Sequence, residues 1–150
     1  MKSKIILFGL ILLTLSNDSI GQSKSENEYK SALGAKYRPL GVTYKNFIGN
    51  NKAIEGVAYF LEQGARVTLL YEVHNSINGI DGLKWYAGPG LHMSLYNNYV
   101  IGLDGVLGLD YRIPSTSIGL SLDWQPSFDF GKGSNFNGDW GGLSIRYIFN

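Results

Sequence analysis

Ser117-Ile118-Gly119-Leu120-Ser121-Leu122-Asp123-Trp124-Gln125-Pro126-Ser127-Phe128-Asp129-Phe130 alternates between two kinds of residue. Ile118, Leu120, Leu122, Trp124, Phe128 and Phe130 fall on one face. Ser117, Gly119, Ser121, Asp123, Gln125, Ser127 and Asp129 fall on the other. Successive side chains leave a pleated backbone on opposite sides, so a period of two marks a strand with two unlike faces. The stretch is long. Strands of soluble sheets usually run about 5–6 residues, whereas a tilted strand that crosses a bilayer needs about 9–11.

The same pattern extends in both directions. Leu143, Ile145, Tyr147 and Phe149 oppose Gly142, Ser144 and Arg146. Tyr99, Ile101, Leu103, Leu107, Leu109 and Tyr111 oppose Gly102, Asp104, Gly108, Asp110 and Arg112. Leu83, Trp85, Leu91, Met93 and Leu95 oppose Lys84, Gly88, Gly90, His92 and Ser94. Ala65, Val67, Leu69, Tyr71 and Val73 oppose Arg66, Thr68, Glu72 and His74. The signal fades toward the start. Ile54, Gly56, Ala58 and Phe60 oppose Glu55 and Tyr59, and Leu33, Ala35 and Tyr37 oppose Gly34 and Lys36, but Gly41 to Ile48 fits either parity. Turn residues break the chain at Arg38-Pro39, Gly49 to Asn51, Glu62 to Gly64, Asn75 to Gly82, Asn97-Asn98, Pro114 to Thr116 and Gly131 to Asp139. These breaks predict eight antiparallel strands in an up-and-down barrel over residues 30–150.

Parity does not say which face is outside. In a soluble barrel the apolar face turns inward, and in a membrane barrel it turns outward. Three features point to the membrane. Aromatic residues cluster toward the ends of the apolar stripes, among them Tyr37, Tyr71, Trp85, Tyr99, Tyr111, Phe128, Phe130, Tyr147 and Phe149, as in the girdles at two lipid–water interfaces. The polar face carries Gly102, Gly108, Gly119 and Gly142. Glycine weakens a solvated strand, but it makes room inside a narrow eight-stranded barrel. The charges on that face also balance. Arg66, Lys84, Arg112 and Arg146 can neutralise Glu55, Glu72, Asp104, Asp110, Asp123 and Asp129, and His74 and His92 join the same network. A packed interior requires such pairing, because unpaired buried charge is costly.

The opening residues fit export. Lys2 and Lys4 precede the apolar run Ile5 to Leu15, and Ser19 and Gly21 place small residues at −3 and −1 of a cleavage site. The expectation is a leader over 1–21, removed, and a flexible polar lead-in over 22–29. The 150 residues hold no cysteine, so neither a disulfide, a thiolate metal site nor a lipid attached at cysteine is available, and a bacterial envelope is the compartment expected. The 13 basic and 12 acidic residues become equal in number once Lys2, Lys4 and Asp18 leave. There is no basic stripe, so no nucleic-acid partner is expected.

Gly142-Leu143-Ser144-Ile145-Arg146-Tyr147-Ile148-Phe149-Asn150 resembles the last strand of outer-membrane barrels, which the barrel-assembly machinery reads through residues at the positions of Tyr147 and Phe149. Asn150 after the Phe departs from that pattern. Together with Tyr71 to His74, Leu83 to His92 and Tyr99 to Asp110, the chain is similar to a family of short outer-membrane β-barrel proteins of small-porin-like, eight-stranded architecture. The resemblance implies periplasmic termini. The outside loops are then Arg38-Pro39, Leu61 to Gly64, Tyr96 to Asn98 and Gly131 to Asp139, too short for most adhesion or receptor roles.

Candidate chemistry is sparse. His92-Met93-Ser94 has the His-x-Ser spacing of the lipid A deacylase family, and Asp104 on the next strand offers a carboxylate for such a triad. Parity, however, turns His92 and Ser94 toward the polar face, away from lipid. Glu72 and His74 belong to the same face, and no metal or cofactor is expected. Pro89 and Pro126 each remove a ladder bond. Similar prolines open lateral gaps in barrel lipid acyltransferases; a bulge or bend that helps close the barrel is the expectation here. The reading is therefore an all-β, eight-stranded transmembrane barrel, monomeric and set in the lipid of an outer membrane, with a structural or interaction role. A deacylase-like enzyme and a soluble lipocalin-like carrier are the alternatives.

Overall fold

A computed structural model describes residues 29–95, 98–131 and 133–149. The leader expected over 1–21, and all but the last residue of the lead-in, lie outside the described residues. The described chain is all strand and turn: β1 (Ser31–Tyr37), β2 (Gly41–Phe47), β3 (Lys52–Leu61), β4 (Gly64–Ser76), β5 (Leu83–Leu95), β6 (Tyr99–Arg112), β7 (Ile118–Trp124), β8 (Ser127–Phe130), β9 (Asn135–Asn137) and β10 (Gly141–Phe149).

Ten segments make eight staves. Each neighbouring pair is antiparallel from β1 through β7, and β1 also pairs with β10, so the sheet closes on itself. β7 and β8 are one stave interrupted at Gln125-Pro126. Their pairing with β6 keeps one register throughout, with Leu107 opposite Trp124 and Asp104 opposite Ser127. β9 and β10 form the last stave. Arg38-Pro39, Gly49 to Asn51 and Pro114 to Thr116 fall between staves, whereas Gly64, Asn75 and Ser76 belong to β4 and Asn97 lies outside the described residues. Strand structure at Asn135–Asn137 lies inside the break expected over Gly131 to Asp139, because Asn135 to Asn137 pair with Ser127 to Asp129.

The prolines act differently from expectation. The β4–β5 register is the same on both sides of Pro89, with Leu70 opposite Gly90 and Val73 opposite Ala87, so a gap in the ladder and no extra residue accommodates it. Beside Pro126 there is a bulge, but on the facing strand. Asn137 stands opposite Ser127 and Gly141 opposite Trp124, so residues 138–140 face residues 125–126. The extra residue turns Trp140 inward, where its ring lies against Arg66 and Tyr59. Redirecting one side chain is a common effect of a bulge.

The closed sheet settles the parity of β2. Thr43 and Lys45 are buried inside while Val42 is exposed outside. Apolar residues face outward on every stave: Leu33, Val42, Ile54, Leu69, Leu91, Leu103, Leu122 and Ile145 are all exposed, Leu122 at 58 %. The interior is mostly polar. Among the described residues its buried apolar side chains include two small clusters, Leu70 with Tyr86 and Val106, and Tyr29 with Ala32, Ile148 and the flanking Phe47, and, apart from these, Ala53, Val57 and Tyr59.

Candidate functional site

The interior charges form three groups along the barrel, each built by inward positions of strands that are distant in sequence. At the end where β1 turns into β2, Arg66 from β4 meets Asp104 from β6 at 2.8 Å. His92 from β5 joins them, with Nδ1 2.6 Å from Asp104 and Nε2 2.8 Å from Asp129. Gln125 donates to the second oxygen of Asp104 at 2.9 Å and accepts from the Tyr59 hydroxyl at 2.7 Å. The Trp140 ring lies 4.0 Å from the Arg66 guanidinium carbon, a cation–π contact over this group.

In the middle, Asp123 accepts from Lys36 at 2.6 Å and from the Tyr86 hydroxyl at 2.7 Å. Toward the chain termini, Glu55 and Arg146 are 2.5 Å apart. Glu55 also accepts from the Thr43 hydroxyl. Lys45 lies between Glu55 and Glu72, at 3.2 and 2.8 Å. His74 Nε2 is 2.8 Å from Glu72, and its ring stacks on Tyr86 at 4.8 Å. Arg146 donates to Ser121 at 2.7 Å. Glu55, Glu72, Lys36 and Lys45 are fully buried, and each has an opposite charge within ion-pair distance, the condition under which burial of charge is tolerable.

Glycine provides the space. A Cβ on Gly102 would meet the His92 ring, and one on Gly108 would meet the Tyr86 ring and Asp123. His92 stands across from Gly102, and Tyr86 and Asp123 both stand across from Gly108, so the missing side chains leave the room that a narrow barrel requires.

Of the charges expected inside, Glu55, Arg66, Glu72, His74, His92, Asp104, Asp110, Asp123 and Arg146 are buried there. Lys84, Arg112 and Asp129 are half-buried. Lys84 approaches the Phe47 ring at 5.7 Å, and the Asp129 side chain is 35 % exposed. Sequence reasoning left out Lys36, Lys45, Tyr86, Gln125 and Trp140. Lys36 was legible on the polar face of its strand, whereas Lys45 sits in the stretch of undecided parity. Tyr29, at the end of the expected lead-in, is buried in the interior and donates to Asp110 at 2.8 Å.

The proposed triad residues come near one another without forming a triad among the described residues. His92 and Asp104 are in contact, and Ser94 is buried two residues along the same face. Both imidazole nitrogens face carboxylates, Asp104 and Asp129, so neither is turned to the Ser94 hydroxyl as a general base would be. The described residues contain no cluster of three or more candidate metal ligands. Comparisons with protein families, with curated proteins and with solved structures find no match to this chain.

Proposed function

We propose that this chain is an integral outer-membrane β-barrel with a structural or interaction role, held in lipid by its outer wall and closed inside by its ion pairs. The observation that carries the reading is the reversal of the usual distribution: Leu, Ile, Val, Phe and Trp cover the outside, while Lys, Arg, Glu, Asp and His are buried. A wall of exposed apolar side chains this extensive is a liability in water and a match for hydrocarbon. Closure of the sheet through β1 and β10 supports the same reading, because bilayer hydrocarbon offers no partner to an open strand edge.

The dimensions agree. Outward positions on β5 run from Leu83 to Leu95. At about 3.3 Å per residue and a tilt of about 45° this gives ~28 Å along the barrel axis, close to an apolar band ~25 Å tall. Exposed aromatics sit toward both ends, Tyr37, Phe60, Tyr99 and Phe130 at one and Trp85, Tyr147 and Phe149 at the other, while between them the outer residues are mostly aliphatic, with Tyr71 and Trp124 among them. Ser31 at the start of β1 pairs with Phe149 at the end of β10, on the side that this reading makes periplasmic. The C-terminal strand, with Tyr147 and Phe149 facing outward, would be the one offered to the assembly machinery. The interior lining of charges supports neither an apolar-ligand carrier nor a lipid-facing catalytic centre.

The three tryptophans test it. Trp85 and Trp124 face outward, and Trp140 faces Arg66. In vesicles of bromine-labelled phospholipid, single-tryptophan variants that keep Trp85 or Trp124 lose most of their fluorescence, and the variant that keeps Trp140 loses little. Equal quenching at all three, or none at Trp124, would contradict the assigned faces.

A further inference from the structure

We propose that the terminal half of the barrel interior is a closed, water-holding compartment with Tyr29 as its stopper. Five buried polar atoms there have no hydrogen-bond partner among the described residues; Lys45 Nζ and Glu55 Oε2 form an ion pair with each other, which leaves three, Glu72 Oε1, His74 Nδ1 and Arg146 Nε. Buried polar groups left without a partner are costly, and in folded proteins ordered water commonly satisfies them.

Two gaps converge on one carboxylate in the same place. Asp110 Oδ2 is 4.0 Å from His74 Nδ1, and Asp110 Oδ1 is 3.8 Å from Arg146 Nη1. Both are too long for a direct hydrogen bond, and both are spans that one water can bridge. The chemistry of the lining selects such a ligand. Arg146 Nε–H offers a donor and Glu72 Oε1 an acceptor. His74 Nε2 faces the Glu72 carboxylate, and a proton there makes Nδ1 an acceptor. Only a small molecule that both donates and accepts can satisfy all three, and water does so.

The compartment is sealed at its end by residues that are not all part of the wall. Tyr29 precedes β1. Its hydroxyl is held by Asp110, its ring meets Phe47 edge-on at 4.9 Å, and it packs with Ala32 and Ile148. Phe47 in turn covers His74 at 4.8 Å. Because the first rung beside β1 among the described residues is the Phe47 N–H to Lys30 O bond at 2.9 Å, and none of those rungs involves Tyr29, Tyr29 can swing away without breaking a rung of the barrel. The compartment depends on the interior alone, whatever covers the outer wall.

The test uses protein produced from the full-length sequence and purified folded, with water oxygen relaxation dispersion as the measurement of long-lived internal water. Wild type shows such water. Tyr29→Ala shortens its residence time about tenfold or more by making opening easier, with far-UV circular dichroism unchanged. Tyr29→Phe keeps the ring, loses only the bond to Asp110, and shortens the residence time less. That variant decides the matter should Tyr29→Ala not fold. The proposal is overturned if folded wild type holds no long-lived water, or if no folded variant shortens the residence time.

Discussion

Arg146→Met lowers the unfolding free energy of the barrel by about 3–5 kcal/mol, the usual cost of removing one partner from a buried ion pair. The guanidinium is 2.5 Å from Glu55 and bonded to Ser121, and all three residues are buried. Without it, Glu55 keeps, among the described residues, Lys45 and the Thr43 hydroxyl, and Lys45 is already shared with Glu72. The paired change Glu55→Leu with Arg146→Met restores most of the loss, because it removes the stranded charge along with its partner. Urea unfolding followed by circular dichroism measures both. A single-variant loss below about 1 kcal/mol, the range of exposed pairs, would mean that the interior is open to solvent and the network is not what holds it closed.

Leu107→Arg tests the other face. Leu107 points outward midway along β6, between Ala87 and Trp124 of its neighbours. At that depth in lipid an arginine costs about 2–4 kcal/mol, and at the rim about 0–1 kcal/mol. The same substitution at Tyr99, at the end of β6 and 80 % exposed, is the rim control. A soluble barrel gives a different result: an exposed apolar residue changed to arginine in water shifts stability by about 0.5 kcal/mol or less. Folding equilibria in lipid vesicles read the difference between the two sites. Equal small effects at both would contradict a bilayer around the belt.

The legible part of the fold was the part with strong contrast between faces. From β4 onward each long stave sets Leu, Ile or aromatic residues against Gly, Ser or charge, so the period of two is unmistakable and the inward charges follow from it. β2 was not legible because Asn46 on the outer face and Phe47 on the inner one break the contrast. Phe47 faces inward as part of the terminal seal, so an apolar residue stands where parity calls for a polar one, and Lys45 was hidden with it. Tyr86 was missed for a related reason: an aromatic residue is inside here because its hydroxyl reaches Asp123, and alternation does not distinguish a phenol that bonds from one that anchors at an interface.

Trp140 had a readable signal that the loop assignment concealed. Phe136 faces outward at an even position and Leu143 at an odd one, so the parity changes between them. A change of parity within one stave requires an extra residue. The contact of His92 with Asp104 was within reach of the sequence, since both lie on polar faces of adjacent strands. The contact with Asp129 was not, because it depends on the register of β8 against β6.

Lipid against the apolar wall makes the fold depend on an amphiphile. The most direct test is refolding of the purified chain with and without detergent micelles, followed by far-UV circular dichroism and by gel mobility of boiled against unboiled samples. A β spectrum and a heat-shifted band are expected only when micelles are present. A monodisperse β protein in plain buffer, with no dependence on detergent, would contradict a lipid-facing wall.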